Sequence, residues 1–246
     1  MKITFIGTSH GVPAADRYCS CSMIEVGDAI YFIDAGAPVI DEILRRGKDI
    51  NKVRAVFTTH SHGDHTNGIL NFADLANWYF KDTSIDFYFT EQRLADAFDK
   101  LIEVIDKPRE TERIRFHTVT PDFIYKDENI TVSLIPTKHM ANANRPTYSI
   151  LVESEGKKVL FSGDFSYMLR ENDVPEIVAK EALDIFICEM AHFGVEQLMP
   201  YLKTCKAKSV YFTHVFPYSR FDEIRAVQND FDYPITIVDD GSEINL

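Results

Sequence analysis

The chain has 246 residues, and its hydrophobic content of 45% with 12% aromatics is enough for a substantial core. No apolar run approaches the ~18 residues needed to span a bilayer, and the first seven residues read as a strand and not as a signal peptide. A formal net charge of −12 argues against binding of long nucleic acid, which needs many basic residues to neutralise phosphates. We therefore expect one domain spanning residues 1–246, a cytoplasmic location and no membrane association.

The first half of the chain alternates between strand and helix patterns. Short runs rich in Ile, Phe and Val predict strands over 2–7, 22–26 and 29–34, and the turn signal Gly27-Asp28 joins the last two as a hairpin. A helix is predicted from Pro38 to Arg46, with Gly47 as its stop. Further along, the patterns predict a strand over 53–58, a helix over 68–80, a strand over 85–89 and a helix over 91–105.

The second half returns to sheet before helices reappear. Five short strands, predicted over 113–119, 123–125, 130–135, 147–152 and 158–162, are expected to form a meander. They are followed by predicted helices over 175–180, 194–202 and 220–228, strands over 183–188 and 209–213, and a closing strand pair over 235–238 and 242–245. Because both halves mix strands and helices, we predict an α+β fold of two mixed sheets packed together with helices on both outer faces, an αββα sandwich.

Thr59-His60-Ser61-His62-Gly63-Asp64-His65 is the strongest chemical signal, because four potential metal ligands fall within six residues directly after an apolar strand. Residues two apart in extended chain project to the same side, so His60 and His62 can bind one ion. Asp64 and His65 follow as the chain turns, which suits a second ion. Imidazole and carboxylate together suit zinc, and also manganese or iron. The alternative, a polar turn with surface histidines, is disfavoured because so many donors lie in so short a run.

Three further donors follow short apolar strands elsewhere in the chain. His139 comes after the strand at 130–135, Asp164 after the one at 158–162, and His214 after the one at 209–213. Each alone is weak evidence, since a single histidine after a strand is usually a surface or core residue. Their common placement suggests that all three converge with the first cluster, as a two-metal site requires more than four ligands.

These motifs, in this order, resemble those of the metallo-β-lactamase-fold hydrolases over essentially the whole chain. The resemblance implies an αββα sandwich with two divalent metal ions per chain, expected to be Zn2+ with Mn2+ or Fe2+ as alternatives. It also implies that Asp34, in Ile33-Asp34-Ala35-Gly36, supports the ligands without being one. By the same resemblance one ion is bound by His60, His62 and His139, the other by Asp64, His65 and His214, and Asp164 bridges both.

The opening segment 5–13 (Phe-Ile-Gly-Thr-Ser-His-Gly-Val-Pro) looks like the start of the tRNA 3'-processing endonucleases and cyclic-nucleotide phosphodiesterases of this fold. Residues 136–140 lack the Gly-His-Thr-x-Gly pattern that is typical of glyoxalase II and many lactonases. Asp164 also stands where β-lactamases of the principal subclass have Cys. No long Gly/Pro-bearing insertion resembles the arm that grips tRNA. Together these features favour a phosphodiesterase acting on a small or single-stranded nucleotide, with long nucleic acid disfavoured.

The expected nucleophile is a hydroxide between the two ions, with Asp64 orienting it. The segment 187–192 (Ile-Cys-Glu-Met-Ala-His) matches the His-Glu-Ala-Thr motif of the nucleases only at the Glu, and Cys188 stands where the proton-donating His would be. His192 is predicted to take over as the proton donor, the alternative being a core or helix-terminal histidine. His10 lies near the metal edge by resemblance, without an assigned role, and His117 is interpreted as structural.

Two other functions stay open on the sequence alone. The same hydroxide attacks carbonyl carbon, so a lactone, carboxyl-ester or thioester hydrolase is the first alternative. The second is a non-catalytic metal-binding or ligand-binding regulatory module, against which the complete ligand set argues. The expected partner is a small-molecule or nucleotide phosphodiester substrate, and a homodimer is left open.

Overall fold

The computed structural model describes residues 1–170 and 173–246. These form two compact units, each containing one mixed seven-stranded sheet. The first unit comprises residues 1–7, 11–120 and 240–246, and the second comprises 8–10 and 121–239. Across the described ranges, no helix is both long and apolar enough to cross a membrane.

The sheet of the first unit has the strand order β14-β1-β2-β3-β4-β5-β6, antiparallel from β14 to β3 and parallel from β3 to β6. Its helices follow β3, β4 and β5, the arrangement that joins parallel neighbours by crossovers. The strands are β1 (Lys2–Gly7), β2 (Cys21–Val26), β3 (Ala29–Ile33), β4 (Val53–Phe57), β5 (Ile85–Phe89), β6 (Ile114–Thr118) and β14 (Glu243–Asn245), and the helices are α1 (Val39–Arg45), α2 (Gly63–Trp78) and α3 (Gln92–Ile105).

The sheet of the second unit has the order β13-β12-β11-β10-β9-β8-β7. Strands β7 to β10 form an antiparallel meander, and β10 to β13 are parallel. Carboxyl ends of parallel strands meet at one edge of a sheet, which is where the polar residues of this unit gather. The strands are β7 (Ile124–Lys126), β8 (Thr131–Thr137), β9 (Thr147–Ser154), β10 (Lys157–Phe161), β11 (Ile185–Met190), β12 (Val210–Val215) and β13 (Ile235–Ile237), and the helices are α4 (Ile177–Lys180), α5 (Val195–Leu202) and α6 (Arg220–Val227).

The two mixed sheets and six helices confirm the predicted α+β class, but two strand pairings were wrong. The meander predicted from the sequence includes the strand at 113–119, yet β6 pairs parallel with β5 in the first unit. The closing strands were expected to pair with each other, yet β13 joins β12 while β14 joins β1. Short apolar runs predict that a strand exists, whereas its partner depends on contacts distant in sequence.

The helix expected from Gly68 begins five residues earlier, at Gly63. Apolar periodicity starts only at Ile69, so the pattern misses the polar first turn. That turn is held by Thr66, whose Oγ1 donates a hydrogen bond to His62 O at 3.0 Å, and by His65 N, which donates to the same carbonyl at 3.1 Å. Asp64 and His65 therefore lie inside a helix and not in a loop.

Gly68 allows α2 to approach the segment after β3 very closely. Its backbone N donates a hydrogen bond to Ala35 O at 2.7 Å. A Cβ at this position would lie 2.1 Å from Ala37 O and 2.7 Å from Ala35 O. Both neighbours are backbone atoms, which move only with their strands and turns, so the first turn of α2 keeps its place only because residue 68 has no side chain.

Gly68→Ala should therefore lower the free energy of unfolding by about 1–3 kcal/mol, the usual effect of overpacking. This runs against the intrinsic preference of helices for Ala over Gly, about 1 kcal/mol. Urea denaturation of both proteins measures the change. Asn71→Ala, at an exposed position of the same helix, is the control and should be close to neutral. A Gly68→Ala protein more stable than the wild type would contradict the close approach.

Candidate metal centre

The predicted ligands of the first unit lie together between the end of β4 and the first turn of α2. His60 and His65 are buried, and their ring centroids are 4.1 Å apart. His60 Nε2 lies 3.0 Å from His62 Nδ1, and His65 Nε2 lies 3.4 Å from Asp64 Oδ2. Three imidazoles and one carboxylate thus project toward one small region, which concentrates donors suited to a divalent metal.

Asp34 orients the cluster from the turn after β3. Its carboxylate accepts hydrogen bonds from Thr59 N at 2.8 Å and from Thr59 Oγ1 at 2.9 Å. Asp34 Oδ2 also lies 2.7 Å from His65 Nδ1, and since a carboxylate accepts, Nδ1 carries the hydrogen and Nε2 keeps its lone pair. Asp34 has a φ of 59°, an uncommon conformation for a residue with a side chain. The contact between Asp34 and His65 is of the kind that orients a histidine for metal binding.

The second unit gathers His139, Asp164 and His214 at the carboxyl edge of its sheet. Asp164 Oδ2 lies 3.8 Å from His139 Nε2 and 3.5 Å from His214 Nε2, and the carboxylate is buried. His139 Nδ1 donates to Phe165 O at 3.0 Å, so its Nε2 is also left with a lone pair. The structure thus brings together all three ligands predicted in this unit.

His214 lies inside β12 and not beyond its end, as the sequence pattern had suggested. The register between β11 and β12 shifts at this point, pairing Glu189 with Thr213 and Met190 with Val215. His214 bulges out of the ladder with a φ of 54°, and its N donates to Thr8 O at 2.9 Å. Such bulges re-aim a side chain next to functional sites, which period-two patterns cannot reveal.

His192 is held beside Asp164 by Glu189, a contact that the sequence did not predict. Its Nδ1 lies 2.9 Å from Glu189 Oε1 and 3.8 Å from Asp164 Oδ2. Glu189 also accepts hydrogen bonds from the backbone N of Phe165 (2.9 Å) and Ala191 (2.6 Å), so this buried carboxylate has little freedom to move. The available signal was the Glu that matches the nuclease motif three residues before His192.

Cys188 occupies the motif position of the proton-donating His but has no access to solvent. Its side chain lies in the core of the second unit, fully buried. Burial, with the nearby Glu189 carboxylate, raises the pKa of the Cys188 thiol well above its ordinary value. A buried neutral thiol is a packing residue here, which leaves His192 as the imidazole of this segment.

The remaining two histidines differ in environment. His117 Nε2 lies 2.6 Å from Asp86 Oδ1, and its ring stacks on Tyr88 at 4.8 Å, in keeping with a structural role. Burial alone would raise the pKa of Asp86, but hydrogen bonds from Arg115 and His117 outweigh it and lower that pKa. His10 instead packs on Phe216, with ring centroids 4.0 Å apart.

The donor chemistry of each unit fits divalent metal ions. The first unit offers imidazoles oriented by Asp34 and Thr59. In the second, Asp164, Glu189 and His192 offer ligand atoms within 4.8 Å of one another, in addition to His139 and His214. Nitrogen and carboxylate donors of this kind suit zinc, manganese and iron.

A family model described as Anti-Pycsar protein Apyc1 matches residues 1–223 of the chain. The chain belongs to this family. Ribonuclease Z of Cyanothece sp. (strain PCC 7425 / ATCC 29141) is 31% identical over 148 residues, covering 58% of this chain and 45% of its own length. The chain thus spans about half the length of the curated relatives that it matches.

Solved structures place the Apyc1 family chain in the metallo-β-lactamase fold. The metallo-beta-lactamase fold protein YhfI from Bacillus subtilis matches with a TM-score of 0.78 and 20% identity, covering 99% of this chain and 98% of that one. The short form of human tRNase Z (ELAC1) matches with a TM-score of 0.74 and 19% identity, covering 100% and 99%. At these identities the likeness shows the fold, and it confirms the predicted αββα class.

Asp34→Asn should weaken metal binding by about 10–100-fold, the usual effect of losing the partner that orients a ligand histidine. An amide can present its NH2 group to His65 Nδ1, which favours the wrong tautomer. Competition with a chelator of known affinity measures the dissociation constant. Asp28→Asn, on an exposed side chain, is the control. Equal affinities in Asp34→Asn and Asp28→Asn would contradict the role given to Asp34.

Proposed function

We propose that this Apyc1 family chain is a binuclear metal-dependent phosphodiesterase that acts on a small or single-stranded nucleotide substrate. In this proposal residues 1–246 form one catalytic domain. The observation that carries the proposal is the carboxylate-held His192 beside Asp164, because it adds a proton donor to a set of metal-binding residues.

The proposed assignment of metal ligands rests on donor chemistry and on the resemblance to metallo-β-lactamase-fold hydrolases. Two divalent ions, expected to be Zn2+, would be held by seven residues, with Asp164 shared between them. When bound, such ions lower the pKa of coordinated water from about 16 towards 7 and neutralise charge that develops on phosphate. The seven residues are His60, His62, Asp64, His65, His139, Asp164 and His214.

The chain's own residues would then position and move protons. Asp64, in the first turn of α2, orients the attacking water by accepting its hydrogen bond. His192, fixed through Nδ1 by Glu189, donates a proton from Nε2 to the leaving oxygen of the diester.

The relatives support phosphodiester chemistry. A ribonuclease Z is among the sequence relatives and a tRNase Z is among the structural neighbours, and the opening segment resembles both tRNA 3'-endonucleases and cyclic-nucleotide phosphodiesterases. The family name further suggests an activity directed against Pycsar. Cyclic nucleotides are therefore the first substrates to test, beside bis(p-nitrophenyl) phosphate, a lactone and a thioester. Hydrolysis of the lactone or thioester alone would favour the ester-hydrolase alternative.

Two further expectations complete the proposal. The cytoplasmic location predicted from the sequence fits a nucleotide substrate. A homodimer is compatible with the proposal, in which the catalytic groups all belong to one chain.

Metal-loaded protein should contain two ions per chain, because three imidazole or carboxylate donors remain for each ion when Asp164 is shared. His62→Ala removes one donor, so it should lower metal content toward one ion and abolish turnover while circular dichroism stays unchanged. Elemental analysis after removal of excess metal gives the count. A wild-type value of one ion at saturating metal would rule out the binuclear site.

His192→Ala should slow hydrolysis of diesters with alkoxide leaving groups by roughly 10²–10⁴-fold, the usual contribution of general acid catalysis. Diesters of p-nitrophenol should lose little, since that group departs without a proton. His117→Ala, at the structural histidine, is the control, and metal content is measured on every variant. Equal losses on both substrates with full metal content would remove His192 from proton donation.

Precursor tRNA should be a poorer substrate than small diesters, because the net charge of −12 opposes long-range attraction of polyphosphates. Initial rates on a precursor tRNA and on a cyclic nucleotide, compared at equal concentration and ionic strength, provide the measurement. Faster, site-specific cleavage at the 3' side of the discriminator base would contradict this expectation.

A further inference from the structure

An exposed aromatic cluster of His10, Phe216 and Tyr218 lies within the second unit. Phe216 is 44% exposed and Tyr218 is 45% exposed, high values for large rings. The Phe216 and Tyr218 centroids are 6.2 Å apart at an interplanar angle of 79°. His10 packs against Phe216 in a tilted contact, with ring centroids 4.0 Å apart at an interplanar angle of 32°. The histidine therefore covers one side of the Phe216 ring. The exposed area of Phe216 lies on the part of the ring that His10 does not cover.

The chain places this cluster next to the proposed catalytic residues. Phe216 follows His214 by two residues, a backbone span of at most about 7 Å. His214 N donates to Thr8 O at 2.9 Å, which holds the segment bearing His10 against β12. The His214 and His192 rings are 6.1 Å apart, so the histidine two residues before Phe216 lies next to the proposed proton donor.

Arg220 fixes Phe216 to the end of β11. Its Nη1 donates to Met190 O at 2.8 Å and to Ala191 O at 2.6 Å, and it also donates to Phe216 O. Phe216 N in turn donates to Met190 O at 3.2 Å. The backbone that carries the exposed ring is thus joined to the backbone that carries His192. Because its backbone is held, this ring can serve as a surface for a ligand with less ordering on binding.

We propose that Phe216 and Tyr218, with His10 packed on Phe216, form a platform on which the base of the nucleotide substrate stacks. The inference rests on the proposed function, since it assigns the base-binding part of the same site. A nucleotide places its base one sugar away from its phosphate, which matches a platform two residues from a metal-binding histidine. Stacking on aromatic rings tolerates any base, because every base has a π-face. The platform therefore favours nucleotides over other diesters and discriminates weakly among bases.

The test compares two substrates that differ only in the base: a 3',5'-cyclic nucleotide and 1-O-methylribose 3',5'-cyclic phosphate. In metal-loaded protein, Phe216→Ala should reduce the ratio of kcat/KM for the nucleotide over the base-free diester by about tenfold or more. Phe216→Trp should restore the ratio, since indole also stacks. Tyr79→Ala, at an exposed aromatic residue of the first unit, is the control and should leave the ratio at the wild-type value. An unchanged ratio in Phe216→Ala would overturn the platform.

A binding measurement separates the platform from the proposed function. The chain has one tryptophan, Trp78, so the double variant Trp78→Phe, Phe216→Trp carries its only indole at the platform. A nucleoside 5'-monophosphate should quench this fluorescence saturably, whereas ribose 5-phosphate should not. This result would support the platform even if no diester were hydrolysed. The platform would be overturned if the nucleotide caused no saturable quenching. It would also be overturned if the fluorescence intensity per protein molecule changed with protein concentration and not with nucleotide concentration.

Discussion

The proposed site depends on imidazole rings that are held through Nδ1, which assigns metal binding or proton donation to Nε2. Asp34 holds His65, the carbonyl of Phe165 holds His139, and Glu189 holds His192. A ring fixed in this way has a defined tautomer and orientation, which a ligand or a proton donor needs before it meets metal or substrate. In each case the accepting group is buried or belongs to the backbone, so the partner is as rigid as the core behind it. The proposed chemistry is therefore built on the cores of the two units.

The backbone takes uncommon conformations where these rings are positioned. Asp34 and His214 both have positive φ, at 59° and 54°, and such conformations persist only where surrounding contacts maintain them. Hydrogen bonds from Thr59 and His65 hold Asp34, and a β-bulge with a bond to Thr8 holds His214. Close approach of α2 through Gly68 belongs to the same set of features, since it places Asp64 and His65 against the turn that carries Asp34.

The sequence predicted which candidate metal ligands lie near one another in each unit, because donor-rich motifs after apolar strands are visible in local patterns. His60, His62, Asp64 and His65 cluster in the first unit as expected, and His139, Asp164 and His214 cluster in the second. Features that depend on distant contacts could not be predicted in the same way. The bulge at His214, the parallel pairing of β6 with β5 and the early start of α2 leave no periodic signal. The sequence does not predict the Glu189–His192 contact, because a chain segment of this length at the end of a strand can adopt many conformations. The buried position of the Glu189 carboxylate in the structure shows which conformation is formed.

The central claim is the proposed binding of two metal ions that share Asp164. Electron paramagnetic resonance of protein loaded with Mn2+ tests it most directly, because two manganese ions bridged by one carboxylate are magnetically coupled. With two equivalents of Mn2+ the account predicts the spectrum of an exchange-coupled pair, and Asp164→Ala should lose it. Spectra of isolated Mn2+ ions throughout the titration would contradict the claim.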